Sequence, residues 1–207
     1  MDLPGHSLKS LAAEVGGHAV EIDLSKPDSI RDAFKLARSM IKAVDVLLLV
    51  SGVVENRSLP NVDIGFWNQT LAINLSGFFL CAQAAEGWIT DGGRIITLGS
   101  MAGHQGSMIT GPAYAASKGG VEGLTKYLAR YFASRRITAN CITPGPVDTP
   151  MLDAHDPELL DAARTSIPLL RFAEAEEIAA AALYLASQDA GYTTGSVLSV
   201  NGGTRME

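Results

Sequence analysis

Two kinds of apolar pattern alternate along the chain. Short runs of β-branched and aliphatic residues occur at 18–24, 44–50, 94–98, 137–142 and 195–200, most of them bounded by glycine, proline or serine. These read as strands. The run at 44–50 is apolar almost without interruption, as a strand buried on both faces is. Between the runs, apolar residues recur at helical spacing. That spacing predicts a helix entered near Ser7 and closed at Gly16-Gly17, with Leu8, Leu11, Ala12 and Val15 on its inner face. A second helix, capped by Asp28 or Ser29, runs to about Ile41. A long one spans 63–88 with a break near Leu75, another spans 113–133, and an alanine-rich one spans 174–187 with Glu174, Glu176 and Glu177 at its positive end. Residues 151–171 read as irregular or partly helical.

Apolar strands alternating with helices predict an α/β fold: a mostly parallel sheet with helices on both faces, in a single domain over residues 1–207. Such sheets bind ligands at the carboxyl ends of their strands. The loops after Val50, Leu98 and Ile142 therefore converge on one crevice.

Composition narrows the classes of function. Of the 207 residues 47% are hydrophobic, and the formal net charge is -6, which does not suggest a nucleic-acid partner. No run approaches the roughly 20 apolar residues of a membrane span, and no signal-peptide pattern opens the sequence. Cys81 and Cys141 sit in apolar segments and read as buried thiols, which makes a cytoplasmic protein the plain expectation. The four histidines are dispersed and no Cys/His cluster exists, so no metal site is expected. His104, close to Ser100, reads as a solvated loop residue, with contact to substrate as the alternative.

The candidate chemistry lies between residues 100 and 118. Ser100 follows the strand at 94–98, a glycine-bearing loop comes next, and Tyr114 and Lys118 follow four residues apart on the helix at 113–133. Spacing of four puts both side chains on one helix face. A nearby ammonium favours an ionised phenol and lowers its pKa, which lets a tyrosine exchange protons with a substrate hydroxyl or carbonyl.

This order, with Tyr114-Ala115-Ala116-Ser117-Lys118 at its centre, resembles the classical short-chain dehydrogenase/reductase family, and the resemblance runs from about residue 6 to 203. It implies a Rossmann-like fold lacking its first strand–helix–strand unit. It also implies an NAD- or NADP-dependent oxidoreductase acting on a small-molecule secondary alcohol or ketone. Tyr114 is then the general acid/base, Lys118 lowers its pKa and binds the nicotinamide ribose, Ser100 orients the substrate oxygen, and Asn74 supports a proton-relay water through a helix kink. For the cofactor the resemblance implies Asp23 and Leu24 near the adenine, Gly52 in the groove, and Pro144, Gly145, Val147 and Thr149 against the nicotinamide, with 151–171 as a substrate lid. It further implies a homo-oligomer joined through the helix at 113–133 and the last strand.

Two features depart from the pattern. No G-x-G-x-x-G or related glycine triplet, the turn that seats a pyrophosphate on a helix N-terminus, occurs in the sequence. Leu49-Val50-Ser51-Gly52 stands where the family carries Asn-Asn-Ala-Gly, and leucine and valine offer no side-chain hydrogen bonds. The strand at 44–50 is accordingly expected to have an open edge, unless it pairs directly with 18–24 or a partner covers it. Alongside the enzyme, these departures admit a non-catalytic relative that acts as a binding or assembly partner.

Overall fold

The computed structural model describes residues 1–54, 57–107, 109–149 and 157–206. Its centre is a four-stranded sheet: β1 (Val44–Leu49), β2 (Ile89–Leu98), β3 (Thr138–Pro144) and β4 (Val197–Val200). The strands lie side by side in chain order and every neighbouring pair is parallel. Among the described residues eight α-helices surround them: α1 (His6–Glu14), α2 (Pro27–Met40), α3 (Ile64–Leu71), α4 (Gly77–Ala85), α5 (Met101–Gln105), α6 (Gly111–Tyr131), α7 (Pro157–Ser166) and α8 (Ala175–Ala186).

Successive strand residues point to opposite faces, and the two faces carry two cores. Ile95 packs with Phe78, Ala82, Val121 and Leu128, so α4 and α6 cover one face, with α2 packed on α4. Ile96 and Ile142 pack with Leu185 of α8 on the other. Phe78, Ile95, Ile96, Val121 and Ile142 are all but fully buried, each side chain contributing about 1.5–3 kcal/mol relative to an exposed position. Sheet and helices thus follow the expected α/β architecture.

Some elements differ from the expectation. The segment 18–24 is extended but forms no sheet strand; Glu21 makes an isolated parallel bridge to Asp2, with Asp2 N donating to Val20 O (3.2 Å) and Ile22 N to Asp2 O (2.8 Å). Its alternation reflects burial of Val20 and Ile22 in the α2–α4 core. Among the described residues nothing pairs with the outer side of β1, and Val46 and Leu48 are exposed, so β1 is not the strand buried on both faces that its apolar run predicts. A groove of about 240 Å³ separates β1 from the extended segment, lined by Ile22, Leu24, Phe34, Leu47, Phe78 and Cys81 among others.

The helix expected at 63–88 is divided by a π-helical turn, Ala72–Ser76, where the break near Leu75 was anticipated. β2 begins five residues earlier than the 94–98 run, because Asp91-Gly92-Gly93 is a bulge within the strand and not a turn before it. Gly92 has φ 80°, and Arg135 holds the bulge from outside by donating to Asp91 Oδ1 (2.8 Å) and Ile89 O.

The outer helices also differ in detail. α1 closes at Gly16 (φ 65°) as expected, with Gly17 N donating to Ala12 O (2.7 Å), yet Leu11 and Val15 of its presumed inner face are exposed. Neither Asp28 nor Ser29 caps α2; Pro27 opens it, and Ser29 Oγ accepts from Asp23 N instead. At α8, Glu177 accepts from Glu174 N (2.9 Å) and pairs with Arg171. The segment 151–171, expected to be irregular or partly helical, is helical over 157–166, while 150–156, including part of the expected lid, lies outside the described residues.

Candidate functional site

The parallel sheet sends β1, β2 and β3 to the same end, and the loops that leave them there meet. Gly99, after β2, donates its N–H to Ile142 O of β3 (2.8 Å). A Cβ on Gly99 would lie 2.8 Å from Cys141 Sγ, so only glycine lets the chain turn here into α5. Ser100 caps α5, accepting from Ala102 N (3.2 Å).

α6 supplies the next two groups. Lys118 is buried and donates from Nζ to Leu98 O (2.8 Å), with its ammonium 5.7 Å from the centroids of both the Tyr114 and Phe78 rings. Burial pushes Lys118 down to about 8, against a smaller opposing influence of Cys141. Burial also raises the Tyr114 phenol, and a hydrogen bond with the Ser100 side chain acts in the opposite direction. The lowering of this phenol expected from Lys118 is therefore not the net result. Desolvation dominates, and the lysine's donor is spent on a carbonyl.

Asn74 enters from the π turn and is fully buried. Its Oδ1 accepts from Val53 N (2.8 Å), and its Nδ2 donates to Val53 O (2.9 Å) and Ser117 Oγ (3.2 Å). A buried amide needs such partners. Here they tie the loop after β1 to α6, where Ser117 Oγ donates in turn to Tyr114 O (2.7 Å). Gly52 lies on the same cluster: a Cβ there would stand 3.1 Å from Asn74 Oδ1 and 3.5 Å from Lys118 Nζ. The glycine leaves a cradle beside the buried ammonium.

Asn74, Gly52, Ser100, Tyr114 and Lys118 are thus assembled in one place. The remaining candidates border it. Leu24 packs on Gly77, where a Cβ would come within 2.9 Å of Leu24 Cβ, just beyond the π turn. Asp23 accepts from Ser25 Oγ (2.6 Å) and N (3.0 Å) and pairs with Lys26, contacts that bring its carboxyl down to about 2. On the other side Pro144 ends β3, and Gly145 N donates to Val200 O (2.9 Å). Val147 bridges to Ala173, and Thr149 Oγ1 donates to Val147 O (3.4 Å).

Three features escaped the sequence reading. Ser117 links Asn74 to Tyr114, a role that its place within Tyr-x-x-x-Lys signals only with Asn74 already in view. Phe78 lies beside Lys118. His104 is not a solvated loop residue: it belongs to α5, is largely buried, and stands 3.0 Å from Glu122 Oε1 of α6.

A nicotinamide nucleotide was tested against this geometry. The cradle at Gly52, next to a buried ammonium and a phenol, fits a nicotinamide-ribose end. Further out, Leu49 and Val50 offer no side-chain hydrogen bonds, and the Asp23 carboxylate already has its partners. Among the described residues no group of histidines, cysteines and carboxylates suits a metal ion, and no helix is long and apolar enough to cross a membrane.

Comparison with known proteins adds independent findings. A family profile described as enoyl-(acyl carrier protein) reductase matches residues 2–205. A 3-oxoacyl-[acyl-carrier-protein] reductase of Aquifex aeolicus is 31% identical, over 96% of this chain and 83% of its own length. The corresponding Staphylococcus epidermidis reductase is 36% identical over 94% and 80%. A 2-dehydro-3-deoxy-L-rhamnonate dehydrogenase (NAD(+)) of a Sphingomonas species is 32% identical over 98% and 82%. Among solved structures, a blue fluorescent protein from a metagenomic library, in complex with NADPH, superposes with a TM-score of 0.91 at 32% identity, covering 99% of this chain and 86% of that one. A short-chain dehydrogenase/reductase from Brucella melitensis does so with a TM-score of 0.88 at 28% identity, covering 100% and 84%.

Proposed function

The chain belongs to the short-chain dehydrogenase/reductase family, and we propose that it interconverts a secondary alcohol and a ketone with NAD or NADP. The observation that carries the proposal is the clustering of Ser100, Tyr114, Lys118 and Asn74 around the Gly52 cradle. A bound nicotinamide supplies or accepts the hydride. Everything else falls to side chains of this chain, which place the reacting oxygen and move its proton.

In the reducing direction Tyr114 donates its phenolic proton to the carbonyl oxygen as negative charge develops there. Its raised pKa keeps the phenol protonated at neutral pH, which is the form an acid needs. Ser100, beside the phenol, orients the same substrate oxygen. Lys118, protonated below about pH 8, presents positive charge beneath the ring and favours the phenolate left behind. Asn74 holds the π turn and the loop after β1 in place, beside which a relay water restores the proton. Tyr114, Lys118 and Gly52 would border the nicotinamide ribose, with Pro144, Gly145, Val147 and Thr149 along the nicotinamide and Asp23 and Leu24 towards the adenine. Carbonyl compounds of the kinds reduced by the 3-oxoacyl and sugar-acid relatives are the substrates to screen.

Self-association fits the surface. Tyr127 and Tyr131 stack at 6.0 Å on the outer side of α6 and are more than half exposed, an aromatic patch suited to a second copy of the chain. A cytoplasmic setting suits the two reduced, buried cysteines.

A second reading is favoured by Leu49-Val50, which offer the cofactor groove no side-chain hydrogen bonds: a relative that keeps the catalytic cluster but binds no cofactor. Calorimetric titration of the monodisperse chain with NADH and NADPH separates the two. Saturable micromolar binding, followed by carbonyl reduction that Tyr114→Phe abolishes, supports the enzyme. A folded chain that binds neither nucleotide up to millimolar concentration refutes it and leaves a binding or assembly partner.

A further inference from the structure

Ser100 sits on a weak support. α5 has five residues and buries one of them, Ala102, and a helix that short does not hold itself. It rests on α6 through backbone: a Cβ on Gly103 would lie 2.6 Å from Gly119 N and 2.7 Å from Lys118 C. Two glycines in contact bring the helices close, but they offer no side chain to stop one pivoting on the other.

The stop comes from the residues on either side of that contact. Ser100 and His104 are one turn apart on α5, and Tyr114, Lys118 and Glu122 follow at intervals of four on α6. At one end Ser100 caps α5 beside Tyr114, and its side chain opposes the upward push of burial on the phenol. At the other, His104 Nε2 stands 3.0 Å from Glu122 Oε1, with side chains 13% and 9% exposed. The Gly103–Gly119 contact lies between them. Two ties flanking a pivot fix an orientation; one tie does not.

We propose that His104 and Glu122 are a positioning pair that holds the Ser100 hydroxyl on the Tyr114 phenol. The inference rests on the reading of Ser100 and Tyr114 given above, and it adds two residues to the machinery. Neither touches the reacting atoms. Glu122 anchors the far end of α5 from within α6 by its 3.0 Å contact with the imidazole, an ion pair when the ring is protonated. The pair also faces a cavity of about 400 Å³ that Lys126, Gly195, Val197 and Arg205 help to line. The surroundings therefore include two further cations besides the buried Lys118 and the Cys141 thiol.

The test reads the Ser100–Tyr114 contact directly, without turnover. With 3-fluorotyrosine incorporated, fluorine NMR follows each phenol through its ionisation, and Tyr114→Phe identifies the resonance of Tyr114. Loss of the Ser100 bond removes an interaction that lowers this pKa, so Ser100→Ala sets the size of the upward shift. Glu122→Ala and His104→Leu are expected to reproduce most of that shift, and Glu122→Gln, which can still accept from His104, to stay near wild type. In a turnover assay the first two lower kcat by about 10- to 100-fold with KM little changed. If Glu122→Ala does not fold, His104→Leu carries the test. Titration unmoved by Ser100→Ala overturns the underlying site reading. Titration moved by Ser100→Ala but not by breaking the pair overturns this proposal alone.

Discussion

Lys118 is a buried ammonium retained at a cost to stability, and replacing it with methionine measures that cost. Methionine has a similar length and no charge, so the fold keeps its packing while the desolvation penalty disappears. A fall of the lysine pKa from 10.5 to about 8 corresponds to about 3 kcal/mol of destabilisation at neutral pH. Against this, the variant leaves Leu98 O without the bond it accepts from Nζ (2.8 Å), a loss of about 1–3 kcal/mol. At pH 7 the two nearly offset, and Lys118→Met is expected to be as stable as the wild type or up to about 2 kcal/mol more so. The sign of the pH dependence follows from linkage. Between pH 8 and 10.5 the unfolded lysine holds a proton that the folded one has lost, so wild-type stability gains with rising pH while the variant's does not. The wild type should therefore gain on Lys118→Met by about 2–3 kcal/mol between pH 7 and pH 10, or roughly 5–10 °C in Tm for a chain of this size. Taking the difference between the two proteins cancels the tyrosines and thiols that titrate in the same range. Urea unfolding at one-unit pH steps measures it. Two stability curves that stay parallel from pH 7 to 10 would refute the buried-ammonium reasoning.

Other perturbations test other parts of the structure. Tyr114→Phe should lower carbonyl reduction by at least about 100-fold with the unfolding midpoint nearly unchanged, since the ring and its packing remain. Asn74→Ala removes three buried hydrogen bonds that join the loop after β1 to α6, and a loss of about 2–4 kcal/mol in chemical unfolding is expected. Gly77→Ala drives a methyl to 2.9 Å from Leu24 Cβ and 3.1 Å from Leu24 O, and should cost about 1–3 kcal/mol in the same assay. At the acid end, Asp23 is held at about 2 by Ser25 and Lys26, so its contribution is complete above pH 3.8 and lost as pH falls through about 2. Wild type and Asp23→Asn should therefore differ in thermal stability at pH 5 and converge below pH 2.

How much of this was legible in the sequence depended on whether a signal was local. The apolar runs became β1 and β3 nearly to the residue, but the burial on both faces that an unbroken apolar run signals holds for β3 and not for β1, where Val46 and Leu48 are exposed. The same logic misread 18–24. Alternation reports burial of one side, and Val20 and Ile22 are buried, but among the described residues no neighbouring strand makes a ladder with them. Asp91-Gly92-Gly93 looked like a turn because glycine at positive φ serves turns and bulges equally. Within the site, Ser100, Tyr114 and Lys118 could be named from spacing along one strand and one helix. The direction of the Tyr114 shift could not, because it depends on burial by residues distant in the chain. His104 was misjudged for a similar reason: its partner lies 18 positions away on another helix, and nothing in Met101–Gln105 announces a helical turn.

The two buried cysteines make the protein its own reporter of opening. Burial pushes the Cys81 thiol up to about 12 and raises that of Cys141, so neither reacts as a thiolate while it remains covered. They are covered by different things. Cys81 lines the groove beside β1, whereas Cys141 lies in the middle of β3, packed on both sides by other strands. Alkylation at Cys81 therefore times the parting of the extended segment 18–24 from β1, and alkylation at Cys141 times the rupture of the sheet itself. The ratio of the two labelling rates measures how independently that border of the molecule breathes.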